Sequence, residues 1–221
     1  EIDVDGSVSS QFVTGLLLAL PLAENDTVIN VTKAVSKPYL DMTIDIAHQA
    51  GVAIEHNDYK QFYVAGNQSY TPRTYTIEGD WSAAAMMLVA GAIAGKITLT
   101  NISLLSKQAD VAICDALVRA GALVTSEPNS ITVEERDLVA FEFDATQCPD
   151  LFPALAALAA AAEGESVIYG VHRLEHKECN RAEAIAREFG RLGIEVDFDT
   201  DNVMKIRGGK IVGGVEVDSH G

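Results

Sequence analysis

The chain repeats itself at intervals of about 70 residues, so any fold must first accommodate several copies of one supersecondary unit. Lys37, Lys107 and Lys177 mark the period, in Val35-Ser36-Lys37-Pro38-Tyr39, Leu105-Ser106-Lys107-Gln108 and His176-Lys177-Glu178-Cys179-Asn180-Arg181. Gly51, Gly121 and Gly193, spaced by 70 and 72, mark it again. In the first copy Ile2-Asp3-Val4 alternates like a strand, and Gly6 to Gln11 supplies turn and N-cap residues before an apolar helix. A strand follows over 26–31. A second helix then starts at Ser36-Lys37-Pro38 and closes at Gly51, and a hairpin turns around Asn57-Asp58. The second copy opens at Ile77-Glu78-Gly79-Asp80 and the third at Phe141-Glu142-Phe143, each in the same order. The spacing thus predicts an α/β chain of three tandem β-α-β-α-β-β units.

The two helices of a unit differ in kind. The first (residues 12–20, 83–92 and 155–161) is apolar or alanine-rich all round, the pattern of a buried helix. The strands instead alternate, as in Thr98-Leu99-Thr100-Asn101, so one sheet face meets water. Helices inside and sheets outside follow, with the N-termini of the first helices at a common end.

Composition narrows the partners. With 16 basic against 32 acidic residues the formal charge is −16, which argues against a phosphate-backbone footprint and hence against nucleic acid. An anionic small molecule remains compatible, because a few lysines and helix N-termini in one cleft outweigh distant surface charge. Cys114, Cys148 and Cys179 show no C-x-x-C spacing, which speaks against a disulfide framework or zinc knuckle and for a reducing cytoplasm. The longest apolar runs, 12–22 and 83–94, fall short of the ~20 residues a bilayer requires, so no membrane segment is expected. Both ends read as cut through a pattern, which suggests an excised portion of a longer protein.

The polar residues at the common end are the candidates for chemistry: Ser9, Ser10 and Gln11, then Asp80 and Ser82, then Asp150. Capping alone explains any one of them. The second-helix starts add Ser36, Lys37 and Tyr39, then Lys107 and Gln108, then Lys177, Glu178 and Arg181. Cations at a helix N-terminus oppose its dipole and more naturally serve a bound anion. Asp150 and Glu178, at equivalent element ends of one unit, suit a base and an acid working on one substrate. His172-x-x-x-His176 reads as a surface pair rather than a metal site, and Gly208-Gly209-Lys210 as a loop without P-loop spacing.

Asp5-Gly6-Ser7-Val8-Ser9-Ser10-Gln11-Phe12, Ser36-Lys37-Pro38-Tyr39, Ile77-Glu78-Gly79-Asp80 and Lys177-Glu178-x-x-Arg181, in that order, resemble the 5-enolpyruvylshikimate-3-phosphate synthase family over essentially the whole chain. The resemblance implies the inside-out α/β prism fold. Residues 1–77 would be the last unit of one enolpyruvyl transferase domain, and 78–221 two units of the second. It implies transfer of the enolpyruvyl group of phosphoenolpyruvate to the 5-hydroxyl of shikimate 3-phosphate, with release of phosphate and without metal or cofactor. Ser9, Ser10, Gln11, Ser36, Tyr39 and Lys177 would hold shikimate 3-phosphate. Asp150 would accept the hydroxyl proton and Glu178 would move a proton at the enol carbon. Arg181, with Gln11 nearby, would clamp phosphoenolpyruvate.

Cys179, Asn180 and Arg173 depart from the family pattern, which has Asp or a small polar residue at the first two positions and Asn at the third. The family's Lys-Ser motif, its Gly-rich loop and its Asp-His-Arg motif are absent from the 221 residues. The chain alone is therefore expected to be inactive, and the full-length protein a cytoplasmic monomer. Two other readings compete: a UDP-N-acetylglucosamine enolpyruvyl transferase, against which Ser9-Ser10-Gln11 and Ser36-Lys37-Pro38-Tyr39 argue, and a non-catalytic anion-binding or assembly module.

Overall fold

The computed structural model describes residues 1–175, 177, 179–198 and 202–220. They form two compact units, Glu1–Ile77 with Lys107–Ala109, and Glu78–Ser106 with Asp110–Gly221.

In the first compact unit β1 (Ile2–Asp5), α1 (Ser10–Ala19), β2 (Thr27–Thr32), α2 (Lys37–Gln49), β3 (Ile54–Asn57) and β4 (Gln61–Val64) build a sheet of order β1-β2-β4-β3. The pair β1 and β2 is parallel and the rest antiparallel. Parallel neighbours need a crossover, which α1 supplies. Leu17, Leu40 and Ile44 from the helices meet Ile29, Ile54 and Phe62 from the sheet, all buried. The β3–β4 hairpin turns with Asp58 at φ 48 and Tyr59 at φ 56, the twist-matched type I′ geometry that normally selects Asn or Gly. Tyr59 tolerates it because its hydroxyl donates to both Asp41 oxygens on α2 (2.8 and 2.9 Å) and Lys37 Nζ lies 4.9 Å above its ring.

The second compact unit holds repeats two and three. Repeat two has α3 (Trp81–Ala94), β5 (Lys96–Thr100), a 3-10 turn over Ala109–Ala112, α4 (Ile113–Arg119), β6 (Leu123–Glu127) and β7 (Ser130–Glu134). Repeat three has β8 (Glu142–Asp144), α5 (Phe152–Ala161), β9 (Glu165–Tyr169), α6 (Arg181–Arg191), β10 (Glu195–Phe198) and β11 (Val203–Arg207). The sheet of repeat three, β8-β9-β11-β10, copies that of repeat one, with β8 and β9 parallel. The first helices α3 and α5 pack against each other with Trp81, Leu88, Phe152, Leu155 and Leu158 fully buried, the helical core that the apolar pattern predicts.

The repeat extends to single backbone torsions. Each second strand is followed at once by a left-handed residue: Lys33 (φ 52), Asn101 (φ 62) and Gly170 (φ 108). Each second helix ends in the same C-cap: Gly51, Gly121 and Gly193 have φ of 86, 90 and 81. The following N–H then reaches back five residues, Val52 to Ala47, Ala122 to Leu117 and Ile194 to Phe189, at 3.0 Å each. Glycine is the residue that takes this conformation without a Cβ penalty.

Three details differ from the sequence expectation. The opening strand of repeat two does not form: β5-β7-β6 has three strands, and in the expected opening the Gly79 N–H donates to Asn101 O. Residues 71–77 are exposed, and Pro72 has no N–H to give a ladder. The helix α1 is not buried all round, since Phe12 is 61% and Leu18 42% exposed. Apolar composition says which residues can be buried, not which neighbours are present to cover them. The lysine ruler also fails to mark helix starts. Lys37 is the first residue of α2, but Lys107 and Lys177 lie in loops ahead of α4 and α6; α4 instead continues from the 3-10 turn Ala109–Ala112, and Asn180 caps α6.

Candidate active site

Two places in the chain share one topology, the loops that leave the carboxyl ends of a parallel strand pair. In repeat one the Ser7 N–H donates to Asp5 Oδ1 (2.9 Å) and the Gly6 N–H to Thr32 O (2.8 Å). These bonds join the loop after β1 to the end of β2. Ser9 then caps α1, accepting from the Gln11 N–H at 3.2 Å, with Ser10 buried and Gln11 exposed. Ser36 precedes α2 in the left-handed region (φ 50, ψ 45), is 6% exposed, and makes no side-chain cap. A left-handed serine costs about 1 kcal/mol or more, and such strain concentrates at ligand clamps. The Tyr39 N–H donates to Ser36 O at 3.1 Å. Because α1 and α2 each follow a strand of one parallel pair, Ser9, Ser10, Gln11, Ser36 and Tyr39 lie at one end of this compact unit.

Repeat three builds the same loops: the Thr146 N–H donates to Asp144 Oδ1 (2.9 Å) and the Ala145 N–H to Tyr169 O (2.9 Å). Here the loops carry charges. Asp150 sits in the 3-10 turn Pro149–Leu151 that leads into α5, and prolines at 149 and 153 suit a first turn whose N–H groups lack helical partners. Its Oδ1 accepts from Lys177 Nζ at 3.0 Å and from Arg181 Nη1 at 2.7 Å. Asn180 fixes the start of α6 reciprocally: its side chain accepts from the Glu183 N–H and donates to the Glu183 carboxylate (2.9 Å). Arg181 is thereby the first residue of α6, with its side chain 23% exposed.

Burial alone would raise the Asp150 carboxyl, but Lys177 and then Arg181 outweigh it and hold it below the usual carboxylate range. Arg173 is a third cation near Asp150; burial lowers its guanidinium while the Asp150 charge opposes that shift. Asp150 and Arg181 line a cavity of about 580 Å³ with Ser82, Met86, Cys179 and Glu188. The Ser82 hydroxyl donates to the fully buried Asp110 at 2.6 Å. Asp80 acts as the cap of α3.

Asp150, Lys177 and Arg181 are thus brought together. Glu178 and His176 lie outside the described residues. Among the described residues no group of three or more His, Cys, Asp or Glu side chains could hold a metal ion. His172 contacts Asn202 instead. The thiols of Cys114 and Cys148 are pushed up to about 11 and about 12 by burial, which makes them poor nucleophiles. Among the described residues no helix is long and apolar enough to cross a membrane. Sequence reasoning passed over Glu188 and its partners. The only sequence signal was the i, i+4, i+7 placement of Arg181, Ile185 and Glu188 on one helix face.

A sequence model of EPSP synthase (3-phosphoshikimate 1-carboxyvinyltransferase) matches residues 1–221. The chain belongs to the EPSP synthase family. A 3-phosphoshikimate 1-carboxyvinyltransferase of Clostridium perfringens is 40% identical over 222 residues, covering 100% of this chain and 52% of that protein. The enzyme of the same name from Aeromonas salmonicida is 43% identical over 203 residues, 91% of this chain and 48% of its own length. The chain therefore spans about half the length of these EPSP synthase relatives. The fold agrees as well. The structure of EPSP synthase from Acinetobacter baumannii superposes with a TM-score of 0.81 at 24% identity, over 99% of this chain and 52% of that one. An enolpyruvyl transferase of Streptomyces tendae superposes with a TM-score of 0.68 at 20% identity, over 94% and 51%.

Proposed function

We propose that this chain carries part of an active site that transfers the enolpyruvyl group of phosphoenolpyruvate to the 5-hydroxyl of shikimate 3-phosphate, with release of phosphate. The observation that carries the reading is Asp150 held by Lys177 and Arg181 at the mouth of the Pro149–Leu151 turn, in a chain that matches the EPSP synthase family throughout. Both substrates are multivalent anions. Lys177 would pair with shikimate 3-phosphate and Arg181 with phosphoenolpyruvate, whose carboxylate or phosphate suits a guanidinium fork. Ser9, Ser10, Gln11, Ser36 and Tyr39 would supply hydroxyl, amide and phenol contacts to shikimate 3-phosphate, and Gln11 also to phosphoenolpyruvate.

The ion pairs give Asp150 its role. While it binds both cations it is ionised and a weak base; substrate anions competing for Lys177 and Arg181 would loosen that grip and raise its proton affinity as the hydroxyl arrives. Asp150 would take the 5-hydroxyl proton as that oxygen bonds to the central carbon of phosphoenolpyruvate, and the methylene carbon would gain a proton. Loss of phosphate with return of a proton from the resulting methyl group would restore the enol ether. Glu178 would move the proton at that carbon.

The test uses the full-length protein with phosphoenolpyruvate and either shikimate 3-phosphate or UDP-N-acetylglucosamine, following phosphate release and the product. Turnover with shikimate 3-phosphate alone is expected. Turnover only with the nucleotide sugar, or binding of shikimate 3-phosphate without turnover, overturns the reading. The 221-residue chain alone is expected to release no phosphate.

A further inference from the structure

Arg181, Ala184, Ile185 and Glu188 share one face of α6 and line the cavity that Asp150 also borders. Glu188 is 8% exposed and takes no part in the Asp150 cluster. A buried carboxylate is costly unless every lone pair is engaged. Its Oε2 accepts from the Asp218 backbone N–H at 3.0 Å and from Arg191 Nη1 at 2.9 Å, and its Oε1 lies 2.9 Å from His220 Nε2. The Asp218 N–H first, then His220, hold its carboxyl below the usual range. Asp218, Ser219 and His220 line the same cavity. One carboxylate, about 10 Å along the helix from Arg181, therefore fastens the segment that makes another wall of the Arg181 cavity.

That segment has little else to fix it in place. Residues 208–220 contain no helix or strand, and Ile211, Val212, Val215 and Val217 are exposed. Its start is tied by the N–H groups of Gly208 to Gly164 O (3.0 Å), Gly209 to Ala160 O (3.1 Å) and Val212 to Leu192 O (2.8 Å), and beyond Val212 the anchor given by the geometry is Glu188. Its charge must also be matched, because a bare carboxylate in a cavity meant for anions would repel them. Arg191 from α6 faces it as a cation and the His220 ring from the segment lies beside it, while Asp218 contributes its backbone N–H and accepts the His220 backbone N–H on its own carboxylate (2.8 Å).

We propose that Glu188 is a positioning residue for anion binding: it holds Asp218–His220 as a wall of the Arg181 cavity and so keeps the guanidinium in a walled, partly desolvated space. This rests on the reading of that cavity as an anion site given above. The test follows the 221-residue chain by NMR with inorganic sulfate as the probe, which does not titrate near neutral pH. In the unsubstituted chain sulfate is expected to shift the Arg181 side-chain N–H signal. The Asp218 amide is expected to titrate in acid with the Glu188 carboxyl, below the ordinary glutamate range. Glu188→Gln should abolish that titration, speed exchange of the 218–220 amides and weaken sulfate binding about three- to tenfold. Glu188→Asp should recover part of the affinity. His220→Ala, which leaves α6 intact, should weaken binding in the same direction if Glu188→Gln folds poorly. Unchanged sulfate affinity in Glu188→Gln and His220→Ala, with binding intact in the unsubstituted chain, overturns the role of Glu188. Failure of sulfate to shift Arg181 in the unsubstituted chain instead overturns the anion-site reading itself.

Discussion

The loops at the ends of β1 and β2 and those at the ends of β8 and β9 are one backbone device used twice. An aspartate ends the first strand and caps the loop, at Asp5 and Asp144, and a backbone bond joins that loop to the second strand, Gly6 to Thr32 and Ala145 to Tyr169. A left-handed residue, Lys33 or Gly170, then turns the chain away. What differs is the cargo. Repeat one presents hydroxyls and an amide on a strained backbone, and repeat three presents a carboxylate between cations. The fold thus supplies a place where two helix starts converge, and on the proposed reading the side chains divide the work, repeat one binding and repeat three moving protons and charge.

If that division holds, the largest effect belongs to repeat three. Asp150→Asn in the full-length protein should lower phosphate release by about 10²- to 10⁴-fold, the usual range for a proton-transfer group, while shikimate 3-phosphate still binds; near-normal turnover would assign the base elsewhere. Arg181→Lys keeps the charge but loses the planar fork, and about tenfold or more in KM for phosphoenolpyruvate should go with it. An unchanged KM would mean that Arg181 serves Asp150 alone.

Smaller effects separate charge from strain. Asp150 has its carboxyl held low in the folded chain, so its ion pairs contribute fully above the ordinary aspartate pKa and lose their contribution as pH falls through the lowered value. Side chains that are 23 to 33% exposed reduce this to about 1 kcal/mol. Urea unfolding of Asp150→Asn should therefore lose less stability than the parent between neutral and acid pH. In repeat one the test is of the backbone. Ser36→Gly and Ser36→Ala both remove the hydroxyl, yet the glycine variant should be the more stable by about 1 kcal/mol because only it is relaxed at φ 50. Equal melting temperatures would mean that the left-handed serine carries no strain.

Much of this was legible in the residues, and the part that was not has a physical cause. Gly51, Gly121 and Gly193 announced the repeat because a left-handed C-cap leaves a residue-type signature. Asp150, Lys177 and Arg181 stood out as charges at element ends, and the family resemblance then implied their roles. The conformation of Ser36 left no trace, since serine is unremarkable in a loop. Glu188 drew no notice because its partners, Asp218 and His220, lie about 30 residues further on. The missing strand of repeat two was invisible for a related reason: pairing is a property of two segments, and Ile77-Glu78-Gly79 reads as extended whether or not a ladder forms.

The exposed stretch ahead of Glu78 has a consequence for handling the protein. Residues 71–77 are solvent-facing and outside any ladder, and Arg73, whose Nη1 donates to Gln49 O, is a tryptic cleavage point within them. A protease needs to thread about ten residues through its cleft, and here the chain is exposed and free of helix and strand. Brief digestion of the native chain should nick it first at Arg73, ahead of basic residues within helices and strands such as Arg119 and Arg191. The segment that failed to join a sheet is thus also a point of weakness towards proteases.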